Sequence, residues 1–194
     1  MFSEFPPSLL MTASQYQLLE HKTRRLISLV CFPSCSTCKT VCCNKAFCEE
    51  SINSYWLSFI RHVVSCGGGQ YDEVNGWLSP HGCQLPAGRP PVCYEFICNK
   101  ILTAVSSKPF WDCFKSLTML LTYAGEKALG NEHLITLSRR QIHTKIKLAK
   151  LEKRIVKAID LYHEYEKTLF LFDEINLLYN GLRHDTGFTL VTHK

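Results

Sequence analysis

The chain's chemistry is concentrated in its thiols. Of eleven cysteines in 194 residues, ten fall between Cys31 and Cys98. They come in two bursts, first Cys31, Cys35, Cys38, Cys42, Cys43 and Cys48, then Cys83, Cys93 and Cys98, with Cys66 between them. Thiols this dense point to a metal centre, a disulfide framework or redox chemistry. The spacing favours metal. Closely spaced cysteines bring two thiolates to one ion with little loop-closure entropy, and a distant group then completes the tetrahedron and ties two chain segments together. The odd count also suits a fully paired disulfide scaffold poorly.

On residue chemistry, Cys35, Cys38, Cys43, Cys83, Cys93 and Cys98 are the foremost ligand candidates, with Cys42 next. The adjacent side chains of Cys42 and Cys43 diverge, so they serve different ions or one is a spectator. Soft thiolates accept zinc and iron–sulfur clusters alike. The frequency of closed structural zinc sites places one or two zinc ions ahead of a cluster. Cys31-x3-Cys35-x2-Cys38 also has the radical-SAM spacing, but the repeated strand–helix units of such a barrel are missing, so the match reads as coincidence. No Ser-His-Asp or Cys-His pair stands at a telling spacing. His21, His62, His143 and His163 lie in helical patterns and read as surface or core histidines. The sequence names no catalytic residue and leaves open whether the protein is an enzyme.

The run Cys35-x2-Cys38-x3-Cys42-Cys43, followed by Gly82-Cys83-x-Leu85 and Arg89-Pro90-x2-Cys93-x2-Phe96-x-Cys98, resembles the YkgJ-type CxxCxxCC cysteine-cluster family, described as zinc- or iron-chelating domains. The resemblance covers roughly residues 31–100. The chain departs from the pattern in two places. Three residues (Lys39, Thr40, Val41) precede the paired cysteines where the family usually has two, and Asn75 stands where it tends to carry a cysteine. The additional ligand candidates are therefore Cys31, Cys48, Cys66 and His81. Some proteins with this domain resemble lysine N-methylases. Here no glycine-rich nucleotide loop follows a strand, so the motifs do not support that activity. An iron–sulfur enzyme or redox sensor of this kind is the alternative to a metal that staples the fold. Arg89 reads as a donor of hydrogen bonds to cysteine sulfurs or loop carbonyls around the thiolates, ahead of a phosphate or partner carboxylate contact.

These residues need a scaffold. A hydrophobic fraction of 46% with 20% charged residues is ordinary globular composition. Residues 8–30 read as a helix with Leu9, Leu10, Leu18, Leu19, Leu26, Ile27 and Val30 on its apolar face. Residues 31–48 read as a loop or knuckle. A short helix over 51–65 presents Ile52, Trp56, Phe59, Ile60 and Val63. Glycine and proline make 66–92 irregular. Helices follow over 94–106 and 108–128, the second capped by Ser107. From Leu134 to Tyr179 runs one long helical pattern. Its seam is Leu151, Ile155, Ala158, Tyr162, Tyr165, Leu169, Phe172, Asn176 and Tyr179. This segment either projects as a coiled-coil arm or breaks near 140–146 and folds back. With no strand pairs evident, the expected class is mainly α. The expectation is a small helical domain over 1–130, stapled by the cysteine-rich module at 31–98, followed by a long C-terminal helix or helical hairpin over 131–194.

Charge is uneven along that last segment. Arg139 to Lys157 holds eight basic residues and one acid, Glu152, whereas Asp160 to Glu174 holds five acids and one base, Lys167. A protein partner or a second copy pairing through the C-terminal helix is the first reading. Nucleic acid contacting the 139–157 stripe is the second, with Arg139, Arg140, Lys147, Lys150 and Arg154 as candidate contacts. The formal charge of +5 falls to about +3 once a tetrathiolate zinc is counted, so net charge alone says little. The N-terminus has no signal-peptide pattern, and the longest apolar runs fall well short of the roughly 20 residues of a membrane span. A soluble, cytoplasmic, metal-binding interaction or assembly module without a membrane partner is therefore expected, in a compartment where thiols stay reduced.

Overall fold

The computed structural model describes residues 5–35, 44–64, 71–79, 82–103 and 107–172. The first helix, α1 (Pro7–Cys35), begins on a proline, which a first turn tolerates because its N–H would lack a helical partner anyway. It buries Leu9, Ala13, Tyr16, Leu19, Thr23, Leu26 and Val30 at helical spacing. Leu18 was expected on this face and is instead 44% exposed, because it stands about 100° round the helix from the buried Leu19. α1 also runs on through Cys35, so the first thiols are helical where a loop was expected. Cys31 is buried in the helical core, where a thiol behaves as a small apolar group.

α2 (Lys45–Asn53) starts at Asn44, whose side chain accepts the Ala46 N–H at 2.9 Å. Cys48 is thus also helical, and the expected loop over 31–48 is corrected at both ends. Ser54 is extended and separates α2 from α3 (Tyr55–Val64), with its hydroxyl accepting the Leu57 N–H at 3.3 Å. The single helix expected over 51–65 is therefore two. Trp56, Phe59 and Ile60 are buried as anticipated, whereas Ile52 is 40% exposed on α2.

A two-residue antiparallel pair follows, β1 (Leu78–Ser79) with β2 (Gly82–Cys83), placing Leu78 opposite Cys83. The sequence reading had no strands here. Short helices α4 (Val92–Glu95) and α5 (Asn99–Leu102) replace the expected helix over 94–106, since Phe96 and Cys98 are extended. α6 (Lys108–Thr118) is capped by Ser107, which accepts the Phe110 N–H at 3.3 Å. α7 (Leu120–Gly125) ends where His133 packs in: a Cβ on Gly125 would lie 2.4 Å from that imidazole.

The last third breaks. A 3-10 turn at Leu134–Thr136 leads to α8 (Arg139–Thr144), which opens on a capping box between Ser138 and Gln141. The chain turns at 145–147 into α9 (Leu148–Leu169). Of the two alternatives, the break is what the structure adopts. α9 buries Leu151, Ile155, Ala158, Tyr162 and Leu169 against α1, α6 and α7, in one core with Leu19, Phe110, Phe114, Leu117 and Leu121. The Tyr162 hydroxyl donates to the Lys22 carbonyl at 2.9 Å and pins α9 to α1. Burial pushes the Tyr162 phenol above its ordinary range. The seam residues Leu151, Ile155, Ala158, Tyr162 and Leu169 are thus covered by the chain itself, whereas Tyr165 of the same seam is exposed. Asn176 and Tyr179 lie outside the described residues. Among the described residues no helix is long and apolar enough to cross a membrane.

Candidate functional site

The second cysteine burst sits on a loop held by side chains from three helices. Glu20, on the buried face of α1, is 1% exposed. Its Oε2 accepts the Gly88 N–H at 2.9 Å, while Oε1 accepts the Arg89 N–H at 2.9 Å and the Tyr94 hydroxyl at 2.8 Å. From the same helix, Arg24 donates to the Pro86 carbonyl at 2.7 Å. Ser51 of α2 donates to the Gly88 carbonyl. Arg61 of α3 donates to the Ser51 carbonyl at 2.8 Å and to its hydroxyl, and lies over the Trp77 ring with its guanidinium carbon 5.1 Å from the centroid. Buried backbone groups must find partners. Here side chains supply them where no ladder of strands does.

Gly88 makes this convergence possible. Its φ is +74°, and a Cβ there would stand 2.5 Å from the Leu57 carbonyl oxygen and 2.7 Å from Arg61 Cγ. Only glycine reaches that conformation and that closeness cheaply.

Arg89 lies at the centre of the loop. Its Nε donates to the Leu85 carbonyl at 2.8 Å and its Nη2 to the Cys83 carbonyl at 3.0 Å. Burial alone would lower its pKa, but Tyr94, Cys83, Cys93 and Glu20 around it hold the proton, and the net direction is upward. The cation is therefore permanent, largely buried, and within electrostatic reach of two sequence-nominated thiols, Cys83 and Cys93. Glu20 shows the reverse balance. Burial pushes its carboxyl above the ordinary range, and the Gly88 and Arg89 amides, the Tyr94 hydroxyl and the Arg89 charge pull it only part of the way back.

The other nominated thiols separate by environment. Cys98 is half-buried at the cap of α5 and packs on the helical core. Cys35 is exposed at the end of α1, one turn from the buried Cys31. Cys48 belongs to a second, smaller core with Trp77 and Leu85, against which Cys83, Tyr71 and Leu78 pack. A Cβ on Gly76 would fall 2.8 Å from both Cβ and Sγ of Cys48, so that thiol is closely covered. Cys38, Cys42, Cys43, Cys66 and His81 lie outside the described residues. Among the described residues no three His, Cys, Asp or Glu side chains converge as a metal would require. The donor chemistry of Cys83 and Cys93, within electrostatic reach of a fixed cation, fits thiolate ligation, and Cys48 fits packing.

A cavity of about 190 Å³ lies beyond α4, lined in part by Glu50, Glu95, Thr122 and His133. Both ring nitrogens of His133 are engaged: Nε2 is 3.1 Å from the Thr122 carbonyl oxygen, and Nδ1 accepts the Ile135 N–H at 3.3 Å. Thr122 donates its hydroxyl to Glu95. Burial lowers the His133 pKa, and the imidazole serves here as a neutral structural link.

Sequence reasoning missed Glu20, Ser51, Arg61 and Tyr94. One signal was available for Glu20. It stands between Tyr16 and Thr23 and completes the 4-3-4-3 spacing that starts at Leu9 and Ala13, so a carboxylate was written into a buried stripe. No comparable signal marks Ser51 or Arg61, which bond to backbone carbonyls and to each other. No protein-family model, curated protein or solved structure matches the chain. The resemblance to the cysteine-cluster family therefore rests on the residues that carry it.

Proposed function

We propose that the protein is a metal–thiolate module whose metal is mainly structural, with Cys83 and Cys93 as two of the ligands. The observation carrying this reading is Arg89, half-buried, fixed by two loop carbonyls and within electrostatic reach of both thiols. Thiolates held by a metal need charge-compensating donors around them, and a guanidinium locked in place is such a donor. The remaining ligands would come from Cys35, Cys38, Cys42, Cys43 and Cys98. Zinc would supply a structural cross-link between these thiolates, and an iron–sulfur cluster is the alternative. The chain's own contribution is the rigid loop: Glu20, Arg24, Ser51 and Arg61 fix the backbone from which the two thiols project. In the cavity beside His133, Thr122, Glu95 and the imidazole are held by hydrogen bonds to one another or to neighbouring backbone, which suits a structural role for these three.

The test is metal content together with an absorption spectrum, on protein purified without oxygen. Zinc bound in the wild type and lost in Cys83→Ser and Cys93→Ser, but kept in Cys48→Ser, is the expected outcome. Iron with sulfide in the same pattern would replace the staple by a cluster. Full metal content in the Cys83→Ser, Cys93→Ser double variant would refute the assignment.

A further inference from the structure

The basic segment 139–157 lies on the outside of the molecule. Arg139, Arg140, Lys145, Lys147, Lys150, Lys153 and Lys157 are exposed and Arg154 is half-buried. Lys150, Lys153, Arg154 and Lys157 stand at i, i+3, i+4 and i+7 on α9, which places them on one flank over about 10 Å of helix. Their neighbours Leu151, Ile155 and Ala158 are buried, so the core packing of α9 fixes this flank outward. Among the described residues the ion pair observed is Lys45–Glu49, and none of these four cations has a carboxylate at pairing distance. Glu152 points about 200° away from Lys150 round the helix. Glu132, at the start of the segment, is engaged by Gln141 Nε2 at 3.1 Å. The row of cations ends at Lys157, because the next positions on that flank are Asp160, Leu161 and Glu164.

We infer that this flank binds the phosphate backbone of double-stranded nucleic acid, without reading its sequence. The chemistry of the flank selects among polyanions. A protein interface is anchored by aromatic or large apolar side chains at its centre, and an anionic bilayer holds a helix through an apolar face. Most of the apolar face of α9 is covered by its own core, Val156 is the one exposed large apolar side chain between 139 and 157, and no Phe, Trp or Tyr stands there to stack single-stranded bases. What remains is a rigid row of cations one helical turn apart, which suits counterion release from a duplex. The inference is independent of the metal.

The experiment is binding of the full chain to a mixed-sequence 20-base-pair DNA duplex across a salt series. A log–log salt slope of about −3.6 is expected for four phosphate contacts. Lys150→Gln, Lys153→Gln and Lys157→Gln together should cut the slope by about 2.7 and weaken binding at least about tenfold at low salt. The matching Lys→Arg triple should retain both, and so should a control triple of Lys100→Gln, Lys108→Gln and Lys115→Gln. Circular dichroism melts of each variant establish folding. An unchanged slope in the folded α9 triple, equal loss in the control triple, or no duplex binding at low salt would overturn the inference. So would tighter binding to phosphatidylserine vesicles or polyglutamate than to the duplex.

Discussion

The loop at 83–94 and the helical body around α9 are stabilised by opposite means. The helical body is dry. Phe110, Leu117, Leu121, Ile155 and Ala158 are fully buried apolar groups carried on helices. Its stability comes from area removed from water and tolerates modest changes of shape. The loop has almost no ladder of its own. Glu20, Arg24, Ser51, Arg61 and Arg89 satisfy its carbonyls and amides one at a time. Such a network fixes a single geometry, and every missing member leaves a buried group without a partner. A rigid helical body thus carries a loop whose shape is set by directional bonds.

The comparison predicts a graded response. Gly88→Ala should be the most damaging single change, about 4 kcal/mol, because it combines a left-handed φ with a backbone collision at the Leu57 carbonyl. A thermal melt checks this, and a loss under 1 kcal/mol would mean the loop relaxes freely. Leu121→Ala should cost about 3 kcal/mol through a core cavity, while leaving any metal bound by Cys83 and Cys93 in place. Loss of metal in that folded variant would merge the two regions that the comparison separates.

Glu20→Gln comes next, at about 2 kcal/mol. The amide keeps one acceptor for the Arg89 N–H and Tyr94 hydroxyl but turns a donor toward the Gly88 N–H. This variant also reports on pH. Glu20 titrates above its unfolded value, so the folded state binds more protons than the unfolded one between the two values. Stability from this group therefore falls as pH rises from the ordinary carboxylate range toward the raised folded value, and Glu20→Gln should remove that slope. An unaltered pH profile would show that the carboxylate is not the titrating group. The smallest effect belongs to His133, whose pKa is lowered by burial. Its contribution is present above the unfolded histidine value and is lost as pH falls through the folded one, so His133→Gln should flatten the acid side below pH ~6.5 by under about 1 kcal/mol.

Much of the helical body was legible in the sequence, because burial repeats with the helical period. The Ser107 cap, the buried faces of α1, α3 and α6, and the α9 seam all follow from spacing. The segmentation was not. Ser54, the extended 96–98 stretch, the step at Met119 and the 145–147 turn carry no proline or glycine, and packing against distant elements decides them. At the candidate site, cysteine spacing nominated Cys83 and Cys93 and the adjacent Arg89, since those are local in sequence. The anchor, Glu20, lies 68 residues before Gly88, and no local pattern joins them.

The closeness of Gly76 to Cys48 has a consequence for experiments on opening. Cys48 is 6% exposed, and its sulfur is walled off by the glycine backbone, Trp77 and Leu85. An alkylating reagent cannot approach it without displacing the 72–79 segment. The rate at which Cys48 is labelled in otherwise native protein therefore clocks the excursions of that segment away from α2, a local free energy that global melts do not see.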